Sequence, residues 1–369
     1  MARILVITKR QYTNKDLIDD QFGRLREIPW AISRRGHKVK GICLSYAGKR
    51  EGIFKDDRVL WHSCNATTFK IPGLLKFIRK ADQLAQQADV IWAGSDSIYG
   101  IIGYFIAKRH HIPLIFDLYD NFEYFLLARL PIIKQLYHWT LRHCAAVTCV
   151  SQPLAQKVAS IRSAPNVVVL ENGVRADLFK PMDKNRCRKE LGLPQEGILI
   201  GTTGAIHRNR GINTLLEAFF LLKRRIFSLK LVLAGAKDKS IQIPNHDAIH
   251  YLGQLPLITI PKVINSLDIA IVCNQNNEFS RYCFPQKAQE IIACDVPLIA
   301  ADIGCMRNLL QNYPRNLFTP DDPKDLADCI YNRLKSNQPE NLAVITWSQL
   351  AVKLEDLMLE LTKKQEKSS

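Results

Sequence analysis

The sequence predicts an α/β protein with two doubly wound parallel sheets. Both halves of the chain alternate short apolar runs, typical of buried parallel strands, with stretches of helical periodicity. At 369 residues the chain also exceeds what one hydrophobic core usually supports. We therefore expect a first domain over residues 1–172 and a second over 173–345. The remaining segment, 346–369, should hold a helix and a frayed tail.

The elements of the first half follow in a regular order. Pro29 should kink or divide the first helix, and Ser151 should cap the last one. The apolar patterns predict strand 2–8, helix 17–35, a strand ending at 44, strand 88–93, helix 98–107, strand 112–123 ending in an acidic turn, and a strand followed by a helix within 145–158.

The second half repeats the alternation of strands and helices. A strand and turn occupy 167–181, where we place the hinge between the domains at about 172–182. Further strands are predicted at 229–235, 249–253 and 269–273. The last helix, 347–364, should bury an apolar face formed by Leu350, Val352, Leu354, Leu357, Met358 and Leu361.

The stretch from Phe284 to Gly304 carries the first candidate site. Pro285 suits a first helical position, and the pattern predicts a helix from there to about 293, followed by a buried strand. Lys287 lies in the first helical turn, where a cation opposes the helix dipole unless an anion offsets it. We interpret Lys287 as a phosphate ligand and Glu290, three residues on, as an acceptor for sugar hydroxyls. The alternative is a lysine on a solvated helix face.

An earlier strand, glycine turn and helix, residues 197–222, carry the second candidate site. Three cations, His207, Arg208 and Arg210, precede a helix that should begin near Gly211. Gly201 and Gly204 would allow the backbone to approach a ligand closely. Two strand ends that each bring cations to a helix start predict one polyphosphate bound between them.

Two groups of residues in the first half are further candidates. Asp117, Tyr119, Asp120 and Glu123 follow a strand at the edge where open parallel sheets bind ligands, although they could equally cap the next helix. The loop after the first strand offers a second group, with a capped helix start as the alternative; its members are Asp19, Asp20, Gly23 and Arg24.

These motifs resemble those of family 4 glycosyltransferases, which have the GT-B fold. The spacing G-x5-[KR]-G matches Gly204, Arg210 and Gly211. A second pattern, P-x-K-x-x-E followed by A-x-x-x-P-x-I-A, begins at Pro285 and includes Lys287 and Glu290. The phrases RGH-x-V at 35–39 and NGV-x4-F-x-P at 172–181 extend the resemblance to nearly the whole chain.

The resemblance implies two Rossmann-like domains facing a cleft, with the last helix crossing back to the first domain. It also implies that the basic residues bind the diphosphate of a nucleotide sugar and that Glu290 binds the ribose. Tyr282 stands where many members have a glutamate for the donor sugar, and Phe284 and Pro285 belong to the same donor-binding stretch.

The first domain carries the remaining expectations drawn from the resemblance. Tyr119 stands where many relatives have a histidine near the reacting sugar, and it joins Asp120, Lys287 and Arg210 as a catalytic candidate. Gly23, with Asp20 and Arg24, stands for the paired glycines of the first loop. The family resemblance implies retention of anomeric configuration, and the cations of the donor half should make a metal unnecessary.

Composition limits the partners and the compartment. Residues 1–180 hold 27 Lys and Arg against 15 Asp and Glu, an excess that suits an anionic lipid surface, nucleic acid or simple solubility. Basic and aromatic residues do not alternate as in nucleic-acid-binding sheets, so we expect no nucleic acid. Ten scattered cysteines without C-x-x-C pairs, no signal peptide and no membrane-spanning run predict a cytoplasmic protein, soluble or peripheral on the membrane.

The sequence thus predicts a transferase that moves a hexose-type sugar from a nucleoside-diphosphate sugar, its co-substrate, to a hydroxyl of a glycan or lipid-linked acceptor, without another cofactor. A nucleotide-sugar epimerase, a nucleic-acid-binding protein and a nucleotide-sugar sensor without turnover are the alternatives. The aromatic and apolar segment 121–139 should either dock on an anionic membrane or pack as a buried helix on the first sheet.

Overall fold

The computed structural model describes residues 1–12, 15–67, 70–336 and 339–366. The chain forms two compact units. Unit 1 combines Met1–Asn172 with the chain from Trp347 onward, and unit 2 is Gly173–Thr346. Each unit has its own parallel sheet, which confirms the predicted fold class.

Within its described residues, unit 1 has an eight-stranded sheet in the order β10-β9-β8-β7-β1-β4-β6-β5, parallel except for β5, and a two-stranded ribbon, β2-β3. Its strands are β1 Arg3–Lys9, β2 Gln11–Tyr12, β3 Lys15–Asp16, β4 Lys38–Ser45, β5 Gly52–Asp56, β6 Val59–Asn65, β7 Val90–Gly94, β8 Leu114–Leu118, β9 Ala146–Cys149 and β10 Val167–Val169. Its helices before the second unit are α1 Arg24–Arg34, α2 Lys70–Ala85, α3 Ser97–Arg109, α4 Pro131–His143 and α5 Gln152–Ile161, with short 3-10 turns at Phe122–Tyr124 and Leu126–Arg129.

Unit 2 has a parallel sheet of six strands in its described part, in the order β13-β12-β11-β14-β15-β16. The strands are β11 Ile198–Thr203, β12 Leu229–Ala234, β13 Ile249–Tyr251, β14 Ile269–Val272, β15 Leu298–Ala301 and β16 Leu317–Phe318. The helices are α6 Lys184–Glu190, α7 Ile212–Lys223, α8 Ile260–Asn265, α9 Glu278–Tyr282, α10 Gln286–Ala293, α11 Cys305–Leu309 and α12 Pro323–Lys335, with 3-10 turns at Arg208–Arg210, Leu257–Thr259 and Pro314–Asn316.

The first helix is shorter than predicted. Residues 17–23 are not helical, because Asp16 accepts hydrogen bonds from the N–H groups of Ile18 and Asp19, both at 2.9 Å. Such a side-chain turn competes with the helix for the backbone donors. The helix begins only after Gly23, whose φ of 87° lies in the left-handed region, and it continues through Pro29 to Arg34.

Four strands of unit 1 are not predicted by the sequence pattern, namely the short ribbon strands β2 and β3 and the strands β5 and β6. Strands β5 and β6 form an antiparallel hairpin linked through Asp57, and β5 is the outer strand of the sheet. Most of β5 is exposed, so it lacks the apolar run that marks the buried strands.

The last helix, α13 (Trp347–Glu366), belongs to unit 1 and packs on α1. Its buried face includes Leu350, Leu354 and Leu357, whereas Val352 is 37% exposed, contrary to the predicted face. Glu355 fixes the helix by accepting hydrogen bonds from Arg35 and, at 2.6 Å, from His37. No helix in the described ranges is both long enough and apolar enough to cross a bilayer.

Candidate functional site

The sheet of unit 2 reverses its strand order between β11 and β14. Chain order runs outward from β11 through β12 to β13 on one side, and from β14 through β15 to β16 on the other. Helices leave this point in opposite directions, so a crevice opens beyond the carboxyl ends of the two strands. The crevice lies between Thr203, which ends β11, and Cys273, which follows β14.

The loop after β11 is fixed to the end of β14. A side chain at Gly211, where φ is 67°, would place its Cβ only 1.6 Å from the Cys273 carbonyl oxygen. The Cys273 thiol also donates to the Arg210 carbonyl at 3.2 Å. Gly204, with φ of 94°, has open space where a Cβ would lie, so that part of the loop is accessible to a ligand. The sequence predicted close approach of a ligand at Gly204 and a helix start near Gly211.

The three predicted cations lie on this loop. Residues 208–210 form a 3-10 turn rather than an irregular segment, and Arg208 is exposed. The Arg210 guanidinium lies over the Phe279 ring, 4.7 Å from its centroid. His207 places Nδ1 3.7 Å from a carboxylate oxygen of Asp238, both half exposed. The stacked arginine is thus held at the mouth of the crevice, which is the position predicted for a phosphate ligand.

Lys287 reaches the same crevice from α10. Pro285 precedes that helix as its N-cap, so the helix begins one residue later than predicted. The Lys287 amine donates to Thr202 Oγ1 at 3.0 Å and to the Thr203 carbonyl at 3.4 Å. Burial lowers the pKa of Lys287, and neighbouring Arg210 lowers it further. In the described residues no carboxylate forms a salt bridge with this amine, so a bound anion would offset its charge.

Glu290 lies one turn further along α10 and is buried, with 8% exposed. Its Oε1 accepts a hydrogen bond from Gln286 Nε2 at 3.0 Å. Burial raises the pKa of the Glu290 carboxyl to about 7, although Gln286 and the charge of Lys287 act in the opposite direction. The carboxyl can therefore exchange a proton near neutral pH.

This raised pKa predicts a pH-dependent affinity for nucleoside diphosphates. Ribose hydroxyls donate hydrogen bonds, so they favour the ionised form of Glu290. The affinity of the protein for nucleoside diphosphates should therefore rise as the pH increases through about 7. Titration calorimetry between mildly acidic and mildly basic pH measures the effect. Phosphate ionisation also contributes in this range, so pyrophosphate, which has no ribose, is the control ligand. Identical pH profiles for the parent and Glu290→Gln would contradict the ribose assignment.

The remaining predicted donor residues surround α9 and the start of α10. Tyr282 ends α9 and is half-buried, while Phe284 and Pro285 are buried. Asp295 has φ of 56° in the turn after α10, in the left-handed region that aspartate tolerates better than most residues. Sequence reasoning missed Thr202, which appears only as a hydroxyl at the end of an apolar strand.

Unit 1 has its own reversal of strand order, between β1 and β7. The Tyr119 hydroxyl is buried there and donates to the Ser95 carbonyl at 2.7 Å, and burial raises its pKa. Asp120 is 8% exposed and accepts from the Asn121 N–H at 2.9 Å. The predicted strand end is therefore correctly located, but the Tyr119 hydroxyl is bonded to the backbone.

Two groups at this edge were not predicted. Lys9 ends β1, and burial lowers its pKa while Asp96 and Asp120 raise it. Asp96 caps α3 by accepting from the Ile98 N–H at 2.9 Å, and burial raises its pKa although Lys9 lowers it. The sequence could have indicated both residues, because a lysine and a carboxylate follow two apolar runs that form adjacent parallel strands.

The three first-loop candidates differ in burial and in their contacts. Arg24 is fully buried and forms two hydrogen bonds with the Asp117 carboxylate, at 2.6 and 2.9 Å. Its third nitrogen donates to the Leu170 and Glu171 carbonyls. Exposed Asp20 accepts from the Asp16 N–H, and Gly23 lies against the Tyr12 ring. These contacts stabilise the loop. The Arg24 guanidinium is buried against its partners and is not exposed to a ligand.

Comparison with known proteins bears on both units. The model described as "Glycosyltransferase Family 4" matches residues 25–178, and "Glycosyl transferases group 1" matches residues 197–336. A D-inositol 3-phosphate glycosyltransferase of Stackebrandtia nassauensis is 25% identical over 234 residues, 56% of this chain and 52% of that protein. The putative teichuronic acid biosynthesis glycosyltransferase TuaC of Bacillus subtilis is 27% identical over 198 residues, 50% and 45% of the two chains. This chain thus spans about half the length of the curated relatives it matches.

Solved structures resemble the chain over its whole length. Sucrose-phosphate synthase from Thermosynechococcus elongatus aligns with a TM-score of 0.77 at 16% identity, covering 99% of this chain and 100% of that one. Anabaena HepE in complex with UDP aligns with a TM-score of 0.70 at 16% identity, covering 100% and 99%. The solved structures show that the chain has the GT-B fold. The two family models match most of its length between them, so the chain belongs to family 4 of the glycosyltransferases.

Proposed function

We propose that this protein transfers a hexose-type sugar from a nucleoside-diphosphate sugar to an acceptor hydroxyl. The observation that carries the proposal is the crevice of unit 2. Arg210 approaches it from the loop after β11 and Lys287 from the first turn of α10, and Glu290 lies one turn further along that helix. Solved relatives with this fold hold UDP and UDP-glucose, which fit a site of two cations and a ribose acceptor. TuaC and the capsular polysaccharide glycosyltransferase CapM of Staphylococcus aureus support a role in cell-surface glycan synthesis.

The proposed chemistry places the growing charge at the cations. When the bond between sugar and diphosphate breaks, negative charge develops on the leaving diphosphate, and Lys287 and Arg210 stabilise it. Preorganised donors of this type contribute roughly 3–4 kcal/mol each in comparable oxyanion sites. We infer that transfer needs no metal ion and, by family resemblance, that it retains the anomeric configuration, with the leaving phosphate helping to deprotonate the acceptor.

The acceptor is proposed to bind at the strand ends of unit 1. Asp120 is the candidate to position its hydroxyl, and Lys9 and Asp96 carry the neighbouring charges. Tyr119 holds the Ser95 turn through its hydroxyl, so we propose that it positions this edge. The acceptor class is a glycan or a lipid-linked sugar. We further propose a cytoplasmic location, since all ten cysteines are buried free thiols, the state that a reducing compartment maintains.

Product analysis tests this function. The purified protein is incubated with UDP-glucose and other nucleoside-diphosphate sugars, with and without candidate acceptors, and the products are identified by mass spectrometry and NMR. We expect a glycosylated acceptor, formed equally with and without EDTA, whose anomeric configuration matches that of the donor. Conversion of the donor sugar without an acceptor would identify an epimerase, and binding without turnover would identify a sensor. Activity lost with EDTA and restored by magnesium would contradict metal independence.

A further inference from the structure

Unit 1 exposes a group of large apolar side chains next to its candidate acceptor residues. Leu126 is 80% exposed, Ile132 is 72% exposed and Leu130 is 51% exposed. We call this set the apolar face, and its members are Tyr124, Phe125, Leu126, Leu130 and Ile132. These residues lie on two consecutive 3-10 turns and the start of α4. Exposed aliphatic side chains concentrated in nine residues are unusual on a soluble surface and mark an interaction site.

The chain segment that carries the apolar face has charges of one sign. Residues 124–143 contain Arg129, Lys134 and Arg142 but no Asp or Glu. The bordering carboxylate, Glu123, is held by Lys157 at 2.5 Å and by His138, so it adds no free negative charge. The Arg129 guanidinium lies 5.7 Å from the centre of the Tyr124 ring. The aliphatic part of the Arg129 side chain thereby extends the apolar face, and its charge lies at the edge of that face.

Trp139 of the same helix, α4, packs against aromatic rings of α3. Trp139 packs edge to face on Tyr104, with ring centres 4.6 Å apart, and near-parallel to Phe105, which is 50% exposed. The Lys108 amine lies 5.9 Å from the centre of the Trp139 ring. Aromatic rings accompanied by lysine or arginine are typical of protein surfaces at the boundary between lipid headgroups and acyl chains.

We propose that the apolar face docks this protein on an anionic lipid membrane. The exposed aliphatic side chains insert at the boundary of the acyl chains, while Arg129 and Lys134 contact the headgroups. A second copy of the chain fits this face poorly. In a symmetric contact, Arg129 and Lys134 of one copy would lie close to Arg129 and Lys134 of the other, and their like charges would repel. Nucleic acid fits poorly too, since branched aliphatic side chains such as Leu126 and Ile132 do not stack on bases.

The position of the face deepens the proposed function. Asp120, the candidate acceptor residue, precedes Tyr124 by four residues at the end of β8. A lipid-linked acceptor in the docked membrane would therefore present its sugar near Asp120. This link to an acceptor rests on the proposed function, whereas membrane docking itself does not.

Co-sedimentation of the full chain with vesicles tests the docking. Vesicles of phosphatidylcholine alone are compared with vesicles that also contain phosphatidylglycerol, at physiological salt and without any donor. We expect binding to the anionic vesicles and little to the neutral ones. The double variants Leu126→Ser/Ile132→Ser and Arg129→Gln/Lys134→Gln should each lower the partition coefficient about tenfold or more.

A matched control removes two cations elsewhere on unit 1. Lys55→Gln/Arg58→Gln, both exposed at the β5–β6 hairpin, should leave the partition within about twofold of the parent. Thermal unfolding of each variant confirms that it folds. Equal binding to neutral and anionic vesicles, or binding that both face variants retain, would overturn the proposal. A dimer seen by light scattering and lost in Leu126→Ser/Ile132→Ser would also overturn it, by making the face a protein interface. Because no donor is present, none of these outcomes bears on donor binding.

Discussion

Replacement of Arg24 by alanine is expected to lower the free energy of unfolding of unit 1 by about 3–5 kcal/mol. The change leaves the Asp117 carboxylate buried without its bidentate partner, and it removes the donor that satisfies the Leu170 and Glu171 carbonyls. Thr148 still donates to Asp117 at 2.6 Å, but one hydroxyl cannot replace a guanidinium. Urea unfolding followed by circular dichroism measures the loss in the transition that carries unit 1.

An exposed ion pair provides the control for Arg24. Arg186 pairs with Glu190 at 2.8 Å on the surface of α6, with 79% of its side chain exposed. Arg186→Ala should change the free energy of unfolding by no more than about 0.5 kcal/mol, because such pairs are screened by solvent. Equal effects of the two substitutions would show that the buried pair contributes no more than a surface pair.

Replacement of Lys287 by methionine is expected to weaken UDP binding about 10- to 100-fold, corresponding to the 1.5–3 kcal/mol typical of hydrogen bonds to charged groups. Arg210→Ala should weaken binding to a similar extent. Methionine retains the aliphatic stem, and burial of the Lys287 charge is unfavourable in the absence of an anion, as its lowered pKa indicates. The free energy of unfolding of the ligand-free variant should therefore stay equal to that of the parent or rise.

Calorimetry with UDP and thermal unfolding together test the role of Lys287. Arg225→Ala removes a cation of unit 2 just after α7, at the opposite end of that helix from the crevice, and should leave UDP affinity unchanged. Lost affinity accompanied by lost stability would indicate that Lys287 supports the fold instead. Unchanged UDP affinity in both Lys287→Met and Arg210→Ala would remove the donor site from this crevice.

The crevice of unit 2 was predictable from sequence because its parts are local. A strand, a glycine turn and a helix start lie within a few residues of one another, so Gly204, Arg210 and Lys287 each reveal their position by spacing. The position of Tyr119 and Asp120 after a strand of unit 1 was predictable for the same reason. What spacing could not show is that Lys287 rests on Thr202, because the two residues are 85 positions apart.

The misread features depend on long-range pairing and on side-chain direction. The sequence alone could not distinguish Arg24 from a ligand-binding arginine, because its partner Asp117 lies 93 residues away in the chain. The Tyr119 hydroxyl points to a carbonyl in a turn where Ser95 has φ of 98°, a conformation that no sequence pattern indicates. The β5 strand was missed because it is mostly exposed and pairs on one side only.

The place of α13 in unit 1 has a consequence for synthesis on the ribosome. The helix that covers α1 is translated only after all 174 residues of unit 2. At roughly 5–20 residues per second, synthesis of the chain between Arg34 and Trp347 takes about 15–60 s, and α1 waits that long for the partner that buries its outer surface. Unit 2 is a continuous segment and can finish folding during that interval. Unit 1 therefore begins first and is completed last, and a nascent chain stalled before Trp347 would carry a finished unit 2 beside an unfinished unit 1.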